Sequence, residues 1–209
     1  MKRALILDLD NTIYPVSSIA GYLFNQLFTL LDENPDSLET GLLLKAKDEL
    51  QRRPYHLVAD KYNFSPEIKT RGNDLLKDLS YTLPMTPFSD YAAVKSIPLP
   101  KFLVTTGYSN LQWSKVKMLG IEDDFEEIHI VDPEKSTQTK KDVFADILQR
   151  HAYAANEVLV IGDDPESEIK AAAQLGIDTF LFDPENRHPE VVVTHKSAQL
   201  KEVVNLILV

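Results

Sequence analysis

Short apolar runs alternating with helical patterns constrain this chain more than any other feature. Ala4-Leu5-Ile6-Leu7 and Val158-Leu159-Val160-Ile161 are continuous apolar runs with no polar alternation. Such runs are expected of strands buried on both faces of a parallel sheet. Phe102 to Thr105, Glu127 to Val131 and Asp178 to Phe182 read as three further strands. Helices are expected over Asn110 to Leu119 (closed by Gly120), Lys140 to His151, a stretch after the Val158–Ile161 strand ending at Leu175 (closed by Gly176) and Ala198 to Leu208. Repeated strand–helix units imply fold class α/β, a doubly wound parallel sheet covered on both faces. The alternation is interrupted after the first strand. Helical patterns over Ile19 to Leu31, Ser37 to Arg52 (with Ser37 and Thr40 as caps near its start), Tyr55 to Tyr62 and Pro66 to Leu79 form an all-helical insert. Prolines 84, 87, 98 and 100 mark its exit.

Composition narrows the function. With 209 residues, the chain is long enough for one large domain or a core with a small insert. Cysteine is absent, which excludes disulfides, thiolate metal sites and a cysteine nucleophile, and the five histidines show no HExxH spacing that would suit zinc. Acidic residues outnumber basic ones 32 to 22, for a formal charge of −10, so nucleic acid is not an expected partner. No apolar run approaches the ~20 residues that span a bilayer. After Met1 and Lys2 only five residues, Arg3 to Leu7, precede the first aspartate, too short an apolar core for a signal peptide, and a soluble cytoplasmic protein is expected.

In an open parallel sheet, ligands bind beyond the carboxyl ends of the strands. Three strands here end in polar residues at that edge: Asp8 and Asp10, Thr105 and Thr106, Asp163 and Asp164. Each taken singly could be a helix N-cap. Several carboxylates converging on one edge instead call for a cation between them, and hard oxygen ligands suit Mg2+.

These motifs resemble, in order, those of the haloacid dehalogenase-like hydrolase superfamily: LILDLDNTIYP, FLVTTG, STQTKKDVF with its lysine, and VLVIGDDPESE. The resemblance implies a Rossmann-like core over residues 1–14 and 86–209, with a helical cap over 15–85. It implies that Asp8 is a nucleophile forming an aspartyl-phosphate, that Asp10 is general acid and then base, and that Thr12 steadies Asp10. Thr105 and the Thr106 amide would hold phosphoryl oxygens, with Gly107 allowing close approach. Mg2+ would be bound by the Asp8 carboxylate, the Asp10 carbonyl and Asp163. Glu168 stands where the family usually has a second aspartate, and its longer carboxylate could reach the metal through water. Lys140 is assigned to contact Asp8 and the phosphoryl group, with Lys141 and Lys135 as alternatives, because this motif lacks the usual Lys-Pro.

DLDNTIYP, ELQRRPYHLVADKY, DLSYTLPMTP and KMLGIEDDFEEI also resemble the pyrimidine 5′-nucleotidase subgroup, although the Tyr-Gly-Thr of its cap is missing and Thr106 replaces its asparagine. Arg53 and His56, with Arg52 and Tyr55, are the cap residues expected to contact substrate. The implied function is a Mg2+-dependent phosphatase acting on a small phosphorylated metabolite, with nucleoside 5′-monophosphates among the candidates. A phosphomutase and a non-catalytic binding protein that keeps the fold are the alternatives. Asp10 disfavours a dehalogenase, and oligomeric state is not legible.

Overall fold

A computed structural model describes residues 1–34 and 40–207 of the chain. The apolar runs form six parallel strands: β1 (Ala4–Leu7), β2 (Lys101–Thr106), β3 (Glu127–Val131), β4 (Val158–Gly162), β5 (Asp178–Phe182) and β6 (His195–Ser197). Their order is β3-β2-β1-β4-β5-β6, so the chain winds outward from β1 in one direction and then crosses to β4 on its other side. Leu7 pairs with both Leu103 and Ile161, which places the residues following β1, β2 and β4 together at one edge. That edge is the switch point at which ligands bind in such sheets.

Alternate side chains divide between the two faces of the sheet. Ala4, Ile6, Phe102, Val104, Val158 and Val160 pack against Val143, Phe144 and Ile147 of α8 (Lys140–Arg150) and Ala171 and Ala172 of α9 (Lys170–Ala173). On the opposite face, Leu5, Leu7, Leu103, Leu159 and Ile161 meet α6 (Tyr91–Lys95), α7 (Ser109–Leu119) and α10 (Val203–Ile207). This second cluster continues into the helical insert through Leu23, Leu27, Leu31, Val58 and Ile68. The insert contains α1 (Ala20–Leu23), α2 (Asn25–Asp32), α3 (Thr40–Leu50), α4 (Tyr55–Lys61) and α5 (Pro66–Lys77). Its apolar stripes are thus buried on the sheet side as well as among themselves. No helix among the described residues is long and apolar enough to cross a membrane.

The structure revises several element boundaries. The helix expected over Ile19 to Leu31 is two, because Phe24 leaves helical geometry (φ −101°, ψ 2°) and its ring stacks 5.5 Å from that of Phe28. The helix expected after β4 begins as a wide turn over Pro165–Ile169, with Ser167 at a non-helical φ of −107° and ψ of −107°. The last helix opens with a tight turn over Leu200–Glu202. Helix α6 and the polar strand β6 are too short to leave a periodic pattern in sequence. The expected helix start at Ser37 and the helix end at Leu208 lie outside the described residues.

Away from the carboxyl edge of the sheet, Glu127 at the start of β3 accepts from Arg150 Nη1 and Nη2, both at 2.7 Å, and contacts the rings of His151 (2.8 Å) and His129 (2.7 Å). The Arg150 hydrogen bonds, outweighing burial and helped by both histidines, hold its carboxyl well below the ordinary range. A depressed carboxylate pKa stabilises the fold above the unfolded value and loses that contribution as pH falls through the folded one. Glu127→Gln is therefore expected to cost about 1–2 kcal/mol at pH 7. The difference from wild type, followed by urea titration, should close on acidification below the ordinary value of 4.5.

Candidate active site

Beyond the ends of β1, β2 and β4, core and insert enclose a cavity of about 120 Å³. Asp8 continues the β1 ladder, its amide donating to Ile161 O at 3.0 Å, and its side chain is buried. Lys140 meets it from α8, with Nζ 2.6 Å from Asp8 Oδ1 and 2.7 Å from Glu168 Oε2. The position of Lys140 follows from local sequence. Thr139 caps α8 and forms a reciprocal capping box with Asp142, so Lys140 is the first helical residue. Lys141 is exposed, and Lys135 is an exposed partner of Asp132 at 3.7 Å.

Glu168 is brought in by the wide turn after β4. Its Oε1 accepts from the Asp164 amide at 2.8 Å, and its side chain lies over Gly162. A Cβ at residue 162 would come within 2.2 Å of the Glu168 side chain, so β4 must end in glycine for that carboxylate to enter. Asp8, Asp163 and Glu168 each place a carboxylate oxygen within 4.8 Å of the others. Burial pushes the Asp8 carboxyl up to about 7; Lys140 opposes the rise, while Glu168 and Asp10 add to it. Burial, with the charges of Glu168 and Asp8, likewise raises Asp163 well above the ordinary range. Buried carboxylates this close favour a divalent cation with hard oxygen ligands.

Asp10 lies apart from that cluster. Lys115 Nζ donates to its Oδ1 at 2.7 Å and Gln112 Nε2 to its Oδ2 at 2.8 Å, while the Tyr14 hydroxyl also donates to Oδ1. Although burial pushes the Asp10 carboxyl up, Lys115, Tyr14 and Gln112 outweigh it and hold the group below the ordinary range. Thr12 was expected to steady Asp10, and the structure places its hydroxyl beside Asp163. Asn11 adopts a left-handed conformation (φ 56°), and Thr12 Oγ1 lies 3.4 Å from Asp163 Oδ1. The turn directs Asp10 toward α7 and Thr12 toward the end of β4.

Thr105, Thr106 and Gly107 line the cavity. Thr105 Oγ1 accepts from Gln112 Nε2 at 2.6 Å, which leaves its own proton free to donate. Gly107 has a φ of 152°, and a Cβ there would lie 3.1 Å from the Gln112 side chain. From the insert, Arg53 and His56 face the same cavity beside Leu23, Phe24, Leu27, Leu50 and Leu76. Arg53 Nη2 reaches Asp164 Oδ1 at 3.2 Å across the junction. Burial holds the half-buried His56 ring below its ordinary pKa, against the pull of Asp60. Arg52 also lines the cavity but pairs with Asp48, and the Tyr55 hydroxyl donates to Ile68 O at 2.6 Å.

Lys115, Gln112 and Tyr14 were not legible as site residues. Lys115 and Gln112 lie within a helix whose pattern is dominated by apolar positions, and Tyr14 reads as core. The one sequence signal was a glutamine and a lysine at i and i+3, which would share a helix face.

Residues 2–176 match the family model described as haloacid dehalogenase-like hydrolase. The chain is 25% identical over 109 residues to the putative HAD-hydrolase YfnB of Bacillus subtilis, a stretch covering 51% of this chain and 46% of that protein. It is 23% identical over 199 residues to the glyceraldehyde 3-phosphate phosphatase of Methanopyrus kandleri, covering 86% of this chain and 83% of that protein. Among solved structures, that of Bacillus subtilis YfnB bound to magnesium superposes with a TM-score of 0.68 at 18% identity, over 100% of this chain and 99% of that one.

Proposed function

Since the chain belongs to the haloacid dehalogenase-like hydrolase family, we propose that it is a Mg2+-dependent phosphatase of a small phosphorylated metabolite, working through an aspartyl-phosphate on Asp8. The observation carrying this reading is the separation of two aspartates two residues apart. Asp8 sits against Lys140 and the acidic cluster, and Asp10 sits against neutral and cationic donors on α7. Two carboxylates in different environments suit two different roles.

In the first half-reaction an Asp8 oxygen attacks phosphorus, and the bond from phosphorus to the leaving oxygen breaks as that oxygen takes a proton from Asp10, whose carboxyl is held low in the free protein and takes up that proton when the negative charge of the phosphoryl group enters beside it. In the second, Asp10 removes a proton from a water that attacks the aspartyl-phosphate, releasing phosphate and restoring the Asp8 carboxylate. Lys140 stays protonated, because Asp8 and Glu168 outweigh the effect of its burial, and it offsets the charge brought by the phosphoryl group. Thr105, Thr106 and Gly107 hold phosphoryl oxygens. The chemistry of the donor set fits Mg2+, which Asp8, Asp163, Glu168 and the Asp10 carbonyl would hold, with Thr12 orienting Asp163. Bound there, Mg2+ supplies positive charge against the phosphoryl oxygens.

We assign residues 15–85 as a cap over a core of 1–14 and 86–209. Arg53 and His56 lie on its wall with apolar side chains that include Leu23, Phe24, Leu27 and Leu50, which supports a leaving group having an apolar or flat portion as well as polar atoms. A nucleoside 5′-monophosphate meets that description, and a fully hydroxylated triose does so less well. Phosphate release from a panel of nucleotides, sugar phosphates and triose phosphates, with Mg2+ and with chelator, tests the proposal. Release is expected only with Mg2+. Asp163→Ala should raise the metal concentration required or eliminate activity, and full activity in excess chelator would overturn the metal assignment.

A further inference from the structure

We propose that Lys115 and Gln112 of α7 are positioning residues that aim Asp10 at the leaving-group oxygen and tie it to the phosphoryl-binding strand β2. The inference rests on the phosphatase reading above. A carboxylate that delivers a proton must present one oxygen along a defined direction, and a free side chain rotates about two bonds. Here both oxygens of Asp10 are engaged, Oδ1 by Lys115 Nζ at 2.7 Å and the Tyr14 hydroxyl, Oδ2 by Gln112 Nε2 at 2.8 Å, which leaves one lone pair of Oδ2 to carry the proton. The two donors stand three residues apart, on one face of α7. Gln112 also donates to Thr105 Oγ1 at 2.6 Å and lies 3.3 Å from Thr106 O, so the same amide links the acid/base to the end of β2.

The helix presenting these donors is itself fixed. Its first residue, Ser109, donates through its amide (2.9 Å) and hydroxyl (2.6 Å) to Asp132, directly after β3. Lys115 is 4% exposed and Gln112 1%. A buried ammonium carries a large desolvation cost unless paired, and an apolar residue of similar length would fill the position without that penalty. Among the described residues, Lys115 forms its salt bridge with Asp10. Stability alone gives little reason for a lysine there, whereas a directed carboxylate gives one.

The test uses the dependence of rate on the leaving group. kcat/KM reports the path up to formation of the aspartyl-phosphate, the half-reaction in which Asp10 protonates the departing oxygen. Nitrophenolate departs without protonation and an alkoxide does not. Lys115→Met is expected to lower kcat/KM for alkyl phosphates about 100-fold, the scale of general acid catalysis, and for p-nitrophenyl phosphate only a few-fold. The plot of log kcat/KM against leaving-group pKa should steepen accordingly, and Lys115→Arg should restore part of the original slope. Gln112→Leu, which removes the Oδ2 donor and keeps the charge, should steepen the slope less, and it serves as the test if Lys115→Met does not fold. An equal loss across the series would mean that Lys115 acts on the phosphoryl group or only on structure, and no change would mean that it has no role; either result overturns the proposal. Failure of the wild type to release phosphate from any member of the series would instead overturn the phosphatase reading.

Discussion

Asp8→Asn is expected to fold and to lose turnover by several orders of magnitude, because it removes the atom to which phosphorus is transferred and not merely a contact that stabilises the transition state. The asparagine keeps the shape of the side chain and can still accept from Lys140 through its carbonyl oxygen. Its effect on stability should run the other way. Burial and the charges of Glu168 and Asp10, against Lys140, raise the Asp8 carboxyl from 3.8 to about 7. Over that window the folded state binds more protons than the unfolded one, so stability of the metal-free protein declines as pH rises through it. Asp8→Asn removes this contribution. Thermal melts in chelator should show a smaller decline for the variant between pH 4 and pH 7. Near-normal phosphate release by Asp8→Asn would end the aspartyl-phosphate mechanism for this protein.

The second large effect is expected at Lys140. Its ammonium, 8% exposed, is shared by Asp8 and Glu168 at 2.6 and 2.7 Å. Lys140→Met keeps the length of the side chain while leaving two buried carboxylates, with Asp163 beside them, without their cation. Breaking a buried pair from one side costs about 3–5 kcal/mol. The loss should be largest at alkaline pH and shrink toward acid, where the carboxyls of Asp8 and Asp163, both raised by burial, are protonated. Urea unfolding in chelator at pH 8 and pH 5 measures this. Activity should fall as well, since the phosphoryl group loses its direct ammonium partner. Mg2+ should raise the variant's midpoint more than that of the wild type, because the ion then provides the only strong counter-charge to the cluster. A variant as stable as wild type in chelator at pH 8 would show that Lys140 does not hold the carboxylates together.

How much of this was legible in sequence differs between core and insert. Strand β1 falls on the residues expected, Ala4 to Leu7, because a strand buried on both faces has no polar residue until it ends, and the half-buried edge strand β3 also falls on Glu127 to Val131. For the same reason the strand ends announce the site: Asp8, Thr105 and Asp163 follow directly on apolar runs. The lysine could be narrowed to three candidates, of which the resemblance favoured Lys140, four residues before Phe144, and its ammonium lies 2.6 Å from Asp8. Strand β6, three residues of mixed polarity, and the break at Phe24 left no such mark. A short edge strand buries little, and helix periodicity survives a one-residue break.

The sequence by itself determined the class of sheet, its carboxyl edge and the order of chemical groups along that edge, since all three follow from local runs and their end points. The tertiary structure alone decided which groups share an environment. Thr12 lies two residues from Asp10 yet bonds with Asp163, because the left-handed turn at Asn11 separates neighbours in the chain. Lys115 and Gln112 lie more than a hundred residues from Asp10 and hold both its oxygens. Arg53 reaches Asp164 from the insert, and Glu168 enters over a glycine at the end of β4. Local pattern carries which residue types occur and which face of an element they occupy. Pairing of charges across elements depends on the three-dimensional path of the backbone, because electrostatic and hydrogen-bond energies depend on separation in space and not along the chain.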